Sequence, residues 1–462
     1  MGGDCSFHSA HELLAAYRAG SLSPVTVVDD ILERISIHGD RINAYALVDA
    51  ERARAQAKAS AFRWEAATPQ GMLDGIPVAI KDVLPVEGWP TRHGSPACAE
   101  APPEMEDAVA VDRLREHGAV FIGKTRTWEF AWHGRVDRPT EEVVPNPWNP
   151  LYSTAGSSSG SAAAVASGLC VFALGTDSGG SVRGPASFCG VVGIKPSHAR
   201  VPVYPPSPMM DMEHIGVLAR NAADAALMLS VIAGYHHRDP HSWPFPSVDL
   251  RKQIDQGVEG LRIGVSVDLG FANPHRDVRD VFDNVVDKLK ALGMVVGDLA
   301  ISLDESLAIT NTLYTPMAMA SLDEVPTDKV SLADPLVREL AEESATLSSS
   351  AYFRAQQKRL ATCRLFTQAF ERFDLILTPT MEALPNRLDE PSPDMLLNRV
   401  FDMTGQPSIS VPVGFSSQGL PVGVQIVAPM GQDALVLRAA HAMESVFPPL
   451  TPPAPDAWTS VS

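Results

Sequence analysis

Apolar positions recur along this chain with two different spacings, and the spacings alternate. In the first sixty residues they fall near every third or fourth position. In VTVVDDILERI, for example, Ser23 is placed to cap a helix and Pro24 suits its first turn. Short unbroken apolar runs follow: GIPVAIKD after Gly75, AVFIG after Gly118 and CVFALG after an Ala-rich stretch. Runs of that length bounded by glycine or charge predict buried strands. Asp107 to His117 and SAAAVASG between them, and DAALMLSVIAG after them, predict helices, the first closed by Gly118. LRIGVSVD and FDLILTP predict strands, residues 329–371 predict mainly helix, and ISVPVG and VGVQIVA predict two late strands before a helix at 434–446. Strands interleaved with helices predict an α/β fold with a large, mixed, mostly covered sheet flanked by helices. No linker, repeat or low-complexity break divides the chain. The expectation is one domain over 1–462 with a variable, largely helical region at about 240–400.

Composition narrows the class. Hydrophobic residues at 45% and charged residues at 20% are those of a soluble globular protein. No uninterrupted apolar run reaches the roughly 18 residues of a membrane span. The first residues carry no basic segment followed by a long apolar one, so no secretory leader is expected. A net charge of −18, from 37 basic and 55 acidic residues, repels phosphate backbones and anionic lipids. That argues against nucleic-acid and membrane partners. The five cysteines are scattered without a CxxC pair, which suits reduced thiols in a cytoplasm better than disulfides or a zinc site.

Three motifs compete for the chemistry. Gly118-Ala119-Val120-Phe121-Ile122-Gly123-Lys124-Thr125 satisfies the phosphate-loop pattern GxxxxGK[ST]. Its four central residues are β-forming and apolar, however, where such a loop needs them curled around phosphate. Gly156-Ser157-Ser158-Ser159-Gly160 satisfies GxSxG with Ser158 as nucleophile, but a loop precedes it where the nucleophile elbow needs a strand. The third is the pairing of that loop with Gly175-Thr176-Asp177-Ser178-Gly179-Gly180-Ser181, one helix and one strand downstream. Adjacent glycines beside a serine let several backbone N–H groups converge, as an oxyanion requires.

A serine nucleophile needs a base. A lysine serves only when neutral, which near pH 8 means lowering its pKa by roughly two units from about 10.4, as burial does. Lys81 closes the run Ile76-Pro77-Val78-Ala79-Ile80 and is the best placed. Lys124 and Lys195 also follow apolar runs, and His93, His133, His198 and His214 leave a serine–histidine pairing open.

These residues together resemble the amidase-signature family. GIPVAIKD resembles its lysine motif, and TRHGS, GAVFIGKT, NPWNP, AGSSSGSAAAVASG, GTDSGGSVRGPASFCGVVGIKPS, DAALMLSVIAG and GQPSISVPVGFSSQGLPVGVQIVA follow the family's order. The likeness covers nearly the whole chain and is weakest at about 235–370. It implies Ser181 as nucleophile, Ser157 (and not Ser158) as the family's cis-serine relay, and Lys81 as base. It also implies an oxyanion hole from the backbone amides of Ser178, Gly179, Gly180 and Ser181. No metal or cofactor is implied. Two segments depart from the pattern. TAGSSSG lacks the proline and second glycine that the family more often has, and VPVYPPSPMMDMEH differs in the part that leads to the pocket. Within the latter, Tyr204, Met209 and Met210 are candidates to line a broad apolar pocket. That segment carries no lysine or arginine to select a carboxylate, and the residues near Met395 do not resemble the glutamine site of tRNA-dependent amidotransferase subunits. The expected substrates are small neutral or aryl amides, with carbamates (urethanes) and esters as relatives. The alternative is an amidotransferase subunit that passes ammonia to a partner. Monomer and homodimer both remain open.

Overall fold

The computed structural model describes residues 5–132, 143–244, 249–303 and 305–455. His133 lies outside them. In chain order the strands are β1 (Tyr45–Val48), β2 (Pro77–Lys81), β3 (Val120–Thr125), β4 (Pro145–Asn146), β5 (Asn149–Ser153), β6 (Phe172–Asp177) and β7 (Val192–Lys195). They continue with β8 (His214–Ala219), β9 (Arg262–Val265), β10 (Val295–Asp298), β11 (Leu375–Pro379), β12 (Ser408–Phe415) and β13 (Pro421–Val427). Eleven of them form one sheet in the order β1-β3-β2-β6-β8-β7-β12-β13-β11-β9-β10, and β4 pairs with β5 separately. The sheet is mixed: β3-β2-β6 and β11-β9-β10 run parallel, and the neighbours between them antiparallel.

Both faces of the sheet's centre are covered. On β2, Val78 and Ile80 join one hydrophobic cluster while Ala79 joins another, and on β6 Phe172 and Leu174 part from Ala173 in the same way. Successive strand residues point to opposite faces, so a strand buried on both reads as an unbroken apolar run. Helix Ser159–Ala166 belongs to the second cluster and is buried at every position. It approaches so closely that a Cβ on Gly160 would stand 2.3 Å from the Ala44 carbonyl oxygen.

In the region from 240 to 400, LRIGVSVD and FDLILTP supply β9 and β11, and β10 is a further strand that the pattern does not mark. The region holds helices Arg276–Ala291, Ser306–Asp323, Pro335–Ser344, Ser349–Arg372 and Leu396–Thr404, and also β9, β10 and β11, which complete one edge of the sheet.

The phosphate-loop pattern resolves as β3. Val120 to Thr125 are buried and extended, and a Cβ on Gly123 would fall 1.9 Å from the Leu47 carbonyl oxygen of β1. Parallel pairing of β2 with β6, Ile80 opposite Leu174, carries Lys81 and Thr176-Asp177 to the same edge of the sheet. At that edge the Ser158 N–H donates to the Ser181 carbonyl at 3.1 Å, joining the two Gly/Ser loops.

Candidate active site

Lys81, the last residue of β2, has no exposed surface. Its Nζ donates to Ser157 Oγ at 2.7 Å, to Thr176 Oγ1 at 2.9 Å and to the Thr176 carbonyl at 3.3 Å. Burial lowers its pKa to about 7, against an opposing pull from the charges of Glu213 and Asp177. Half of such lysines are neutral near pH 7, the condition a base needs.

Ser157 follows a cis Gly156–Ser157 peptide bond. Its carbonyl accepts from Trp128 N at 3.1 Å, and the Trp128 ring lies so close that a Cβ on Gly156 would meet it at 2.1 Å. Ser181 is half-buried on a cavity wall, and among the described residues its Oγ makes no hydrogen bond within the protein.

The loop between β6 and Ser181 is shaped by Asp177. Its Oδ1 accepts from Gly180 N at 2.6 Å, and its Oδ2 accepts from Val182 N at 3.1 Å and Arg183 N at 3.3 Å. Arg183, fully buried, donates to both Asp177 oxygens and to Asp402 Oδ2 at 2.6 Å. Burial would raise the Asp177 carboxyl, but Arg183, Lys195 and the Gly180 amide together hold the group well below the usual carboxylate range. The Gly180 bond to Asp177 bears on the expected oxyanion hole of Ser178, Gly179, Gly180 and Ser181. The Gly180 amide is already engaged, and of the four residues only Ser178, Gly179 and Ser181 reach the cavity wall.

That cavity has a volume of about 340 Å³. Trp128, Trp132, Met209, Met395 and Tyr314 supply apolar and aromatic wall, and Arg399 enters beside Asp394, with which it pairs at 3.1 Å. Leu307, Asn311, Tyr314 and Thr315 come from one face of helix Ser306–Asp323, at the spacing of successive turns. Of the residues expected in the pocket, Met209 is buried in its wall. Tyr204 lines instead an adjoining cavity of about 280 Å³ that shares Ala131 and Met209 with the first. Met210 departs from expectation: it is 64% exposed and belongs to neither wall.

The other candidates are placed elsewhere. Ser158 Oγ donates to the Thr176 carbonyl at 3.2 Å and accepts from Thr176 N at 3.4 Å, tying its helix to β6. His214 Nδ1 faces the carbonyls of Asp177 and Met212, and burial lowers the His93 pKa to about 4. Among the described residues no histidine hydrogen-bonds to Ser157 or Ser181. Lys195 Nζ donates to the carbonyls of Pro196 and Gln406. Sequence reasoning did not single out Asp177 and Arg183, although they sit within the TDSGGSVRG segment. It also passed over Thr176 and the wall from helix Ser306–Asp323.

A buried lysine bonded to one serine, beside a second serine on a cavity and a glycine-rich loop with free amides, is equipment for acyl transfer. The chain belongs to the amidase family, whose model matches residues 26–437. A glutamyl-tRNA(Gln) amidotransferase subunit from Synechococcus sp. (strain RCC307) is 34% identical over 93% of this chain and 95% of that one. Among solved structures, a bacterial aryl acylamidase of the amidase-signature family superposes with a TM-score of 0.88 at 26% identity, over 96% of each chain. The peptide amidase of Stenotrophomonas maltophilia superposes with a TM-score of 0.83 at 26% identity, over 97% of this chain and 99% of that one. The protein is thus an amidase-signature enzyme, an amide C–N hydrolase or an amidotransferase. No described helix is long and apolar enough to cross a membrane.

Proposed function

We propose that this enzyme hydrolyses small neutral or aryl amides through an acyl-enzyme on Ser181, with carbamates (urethanes) and esters as related substrates. The observation that carries the reading is the 2.7 Å bond from Lys81 Nζ to the Oγ of Ser157, whose chain neighbour Gly156 shares a cavity wall with Ser181. Ser181 Oγ attacks the carbonyl carbon and gives its proton to Ser157 Oγ, which passes its own to neutral Lys81. The amides of Ser178, Gly179 and Ser181 receive the oxyanion. The relay then runs backwards: the leaving nitrogen takes a proton, the C–N bond breaks and the amine departs. Water attacks the acyl ester by the same route and frees the acid and Ser181. The aromatic and thioether walls support an apolar acyl or aryl group.

Ser181→Ala tests this with a simple anilide. Turnover should fall by roughly 10³-fold or more, and the acyl mass increment seen after acid quench should vanish. Retention of either overturns the assignment.

A second reading, an amidotransferase subunit that works with a partner, is favoured by the curated relatives and by the Arg399–Asp394 pair on the wall. Those groups offer opposite charges to an amino acid substrate such as glutamine. Anilide turnover by the purified chain supports the first reading. Silence toward anilides with glutaminase activity only beside added partner proteins supports the second.

A further inference from the structure

Glu213 is the residue immediately before β8. In the antiparallel pairing of β6 with β8, Asp177 stands opposite His214, which sets Glu213 beside Ser178. The Glu213 side chain is buried, and its Oε2 accepts from Ser178 Oγ at 3.2 Å and from Ser207 Oγ at 2.8 Å. Its Oε1 has no hydrogen-bond partner, and among the described residues no cation lies within ion-pair distance of it. A buried carboxylate held only by hydroxyls is expensive unless a charge nearby compensates. The charge that acts on it is that of Lys81. Thr176 stands between them: its hydroxyl accepts from Lys81 Nζ at 2.9 Å, and it lines the 280 Å³ cavity together with Glu213.

We propose that Glu213 is a positioning residue for the relay. Its charge biases Lys81 toward holding a proton, and its Oε2 anchors the glycine-rich loop through Ser178. This rests on the acyl-enzyme reading above.

The surrounding groups leave Glu213 that part. Asp177 also acts on Lys81, but its charge is matched at hydrogen-bond distance by Arg183. His214, next in the chain, faces backbone carbonyls and is kept neutral by burial. Across the cavity stand Glu104, Glu324 and His93, the last also neutral, and none of these is within hydrogen-bond reach of Glu213. Burial raises the Glu213 carboxyl, while Lys81 and the hydroxyls of Ser207, Thr176 and Ser178 pull it back toward the charged form.

The test is kcat/KM against pH on an anilide for wild type, Glu213→Gln and Glu213→Asp. Glutamine keeps the shape and an acceptor for Ser178 and Ser207 but removes the charge. Without that charge neutral Lys81 persists to lower pH, so the acid limb of Glu213→Gln should move down by roughly one pH unit. Glu213→Asp, which keeps the charge, should hold the limb near its wild-type position. An unmoved limb in folded Glu213→Gln overturns the proposal.

A reciprocal measurement covers a failure of that variant to fold. In Lys81→Met the infrared band of a protonated buried carboxyl should persist to higher pH than in wild type, and no change overturns the proposal. The outcomes separate the two claims. Activity in Ser181→Ala sinks the acyl-enzyme reading, whereas an inactive Ser181→Ala beside an unmoved Glu213→Gln limb sinks this inference alone.

Discussion

Two adjacent strands of the sheet, β2 and β3, carry buried lysines at their C-terminal ends, Lys81 as the last residue of β2 and Lys124 as the last but one of β3, with opposite fates. Lys81 lies opposite Thr125 and Lys124 opposite Ile80, so the two ammonium groups are one register position apart and leave on opposite faces. Both have no exposed surface, and burial lowers the pKa of each. Lys124 finds a carboxylate, Asp82 Oδ1 at 3.2 Å, and completes its bonds with the Leu84 carbonyl at 2.8 Å and Thr91 Oγ1 at 3.0 Å. Lys81 finds hydroxyls and a carbonyl, with Glu213 and Asp177 acting only from farther away. Burial alone therefore does not make a base. A desolvated amine without a carboxylate in contact gives up its proton near neutrality, whereas a carboxylate in contact pulls against burial and favours the charged form, as Asp82 does for Lys124.

Replacing each lysine with methionine tests that contrast, and the largest effect is expected at Lys81. Lys81→Met should fold, because the groups it leaves in contact are two hydroxyls and the Thr176 carbonyl, and Glu213 can take up a proton once the lysine charge is gone. Its kcat should fall by roughly 10²- to 10⁴-fold with the loss of the general base. Its stability should also lose a slope. The Lys81 pKa is about 7 in the folded protein against an ordinary value of 10.5. Between those pH values the unfolded chain binds more protons, and wild-type stability rises with pH. Denaturant unfolding at pH 7 and pH 10 should show a smaller rise in Lys81→Met. An active Lys81→Met would return the base to a histidine.

Lys124→Met should do the reverse. It leaves Asp82 buried without its cation and should cost about 3–5 kcal/mol of stability, partly recovered by adding Asp82→Asn. The folded fraction should keep its turnover. A stable but inactive Lys124→Met would instead revive the phosphate-loop reading of GAVFIGKT.

The same contrast shows what was legible in the chain. β2, β3, β6, β12 and β13 announce themselves because strands covered on both faces must be apolar throughout. The Gly/Ser loops announce themselves because close approach excludes a Cβ at Gly156 and Gly160. By contrast, β10 is half-exposed at the sheet's edge, and VVGD carries no strong period. The cavity wall from helix Ser306–Asp323 mixes Leu307, Asn311, Tyr314 and Thr315 on one face, which no hydrophobic pattern marks. Burial favours Lys81 without excluding Lys124 and Lys195, because what separates them is a neighbour from elsewhere in the chain. In VPVYPPSPMMDMEH the apolar letters drew attention to Met209 and Met210. Yet the left-handed backbone at Met210 (φ 46°) accompanies a side chain in solvent, and the residue that meets the glycine-rich loop is Glu213.

The smallest expected effect separates two neighbouring serines as sharply as the two lysines. Ser157 touches Lys81, whereas Ser158 only bridges the N–H and carbonyl of Thr176. Losing that bridge leaves the Thr176 carbonyl its bond from Lys81, so Ser158→Ala should cost about 1 kcal/mol of stability. Turnover should stay within roughly tenfold of wild type, since no proton path crosses Ser158. Ser157→Ala removes the hydroxyl between Lys81 and the nucleophile, and its rate loss should approach that of Lys81→Met. Measured side by side on one anilide, the two variants rank the serines directly. A larger loss from Ser158→Ala would move the chemistry to the GxSxG serine and leave the Lys81–Ser157 bond as packing.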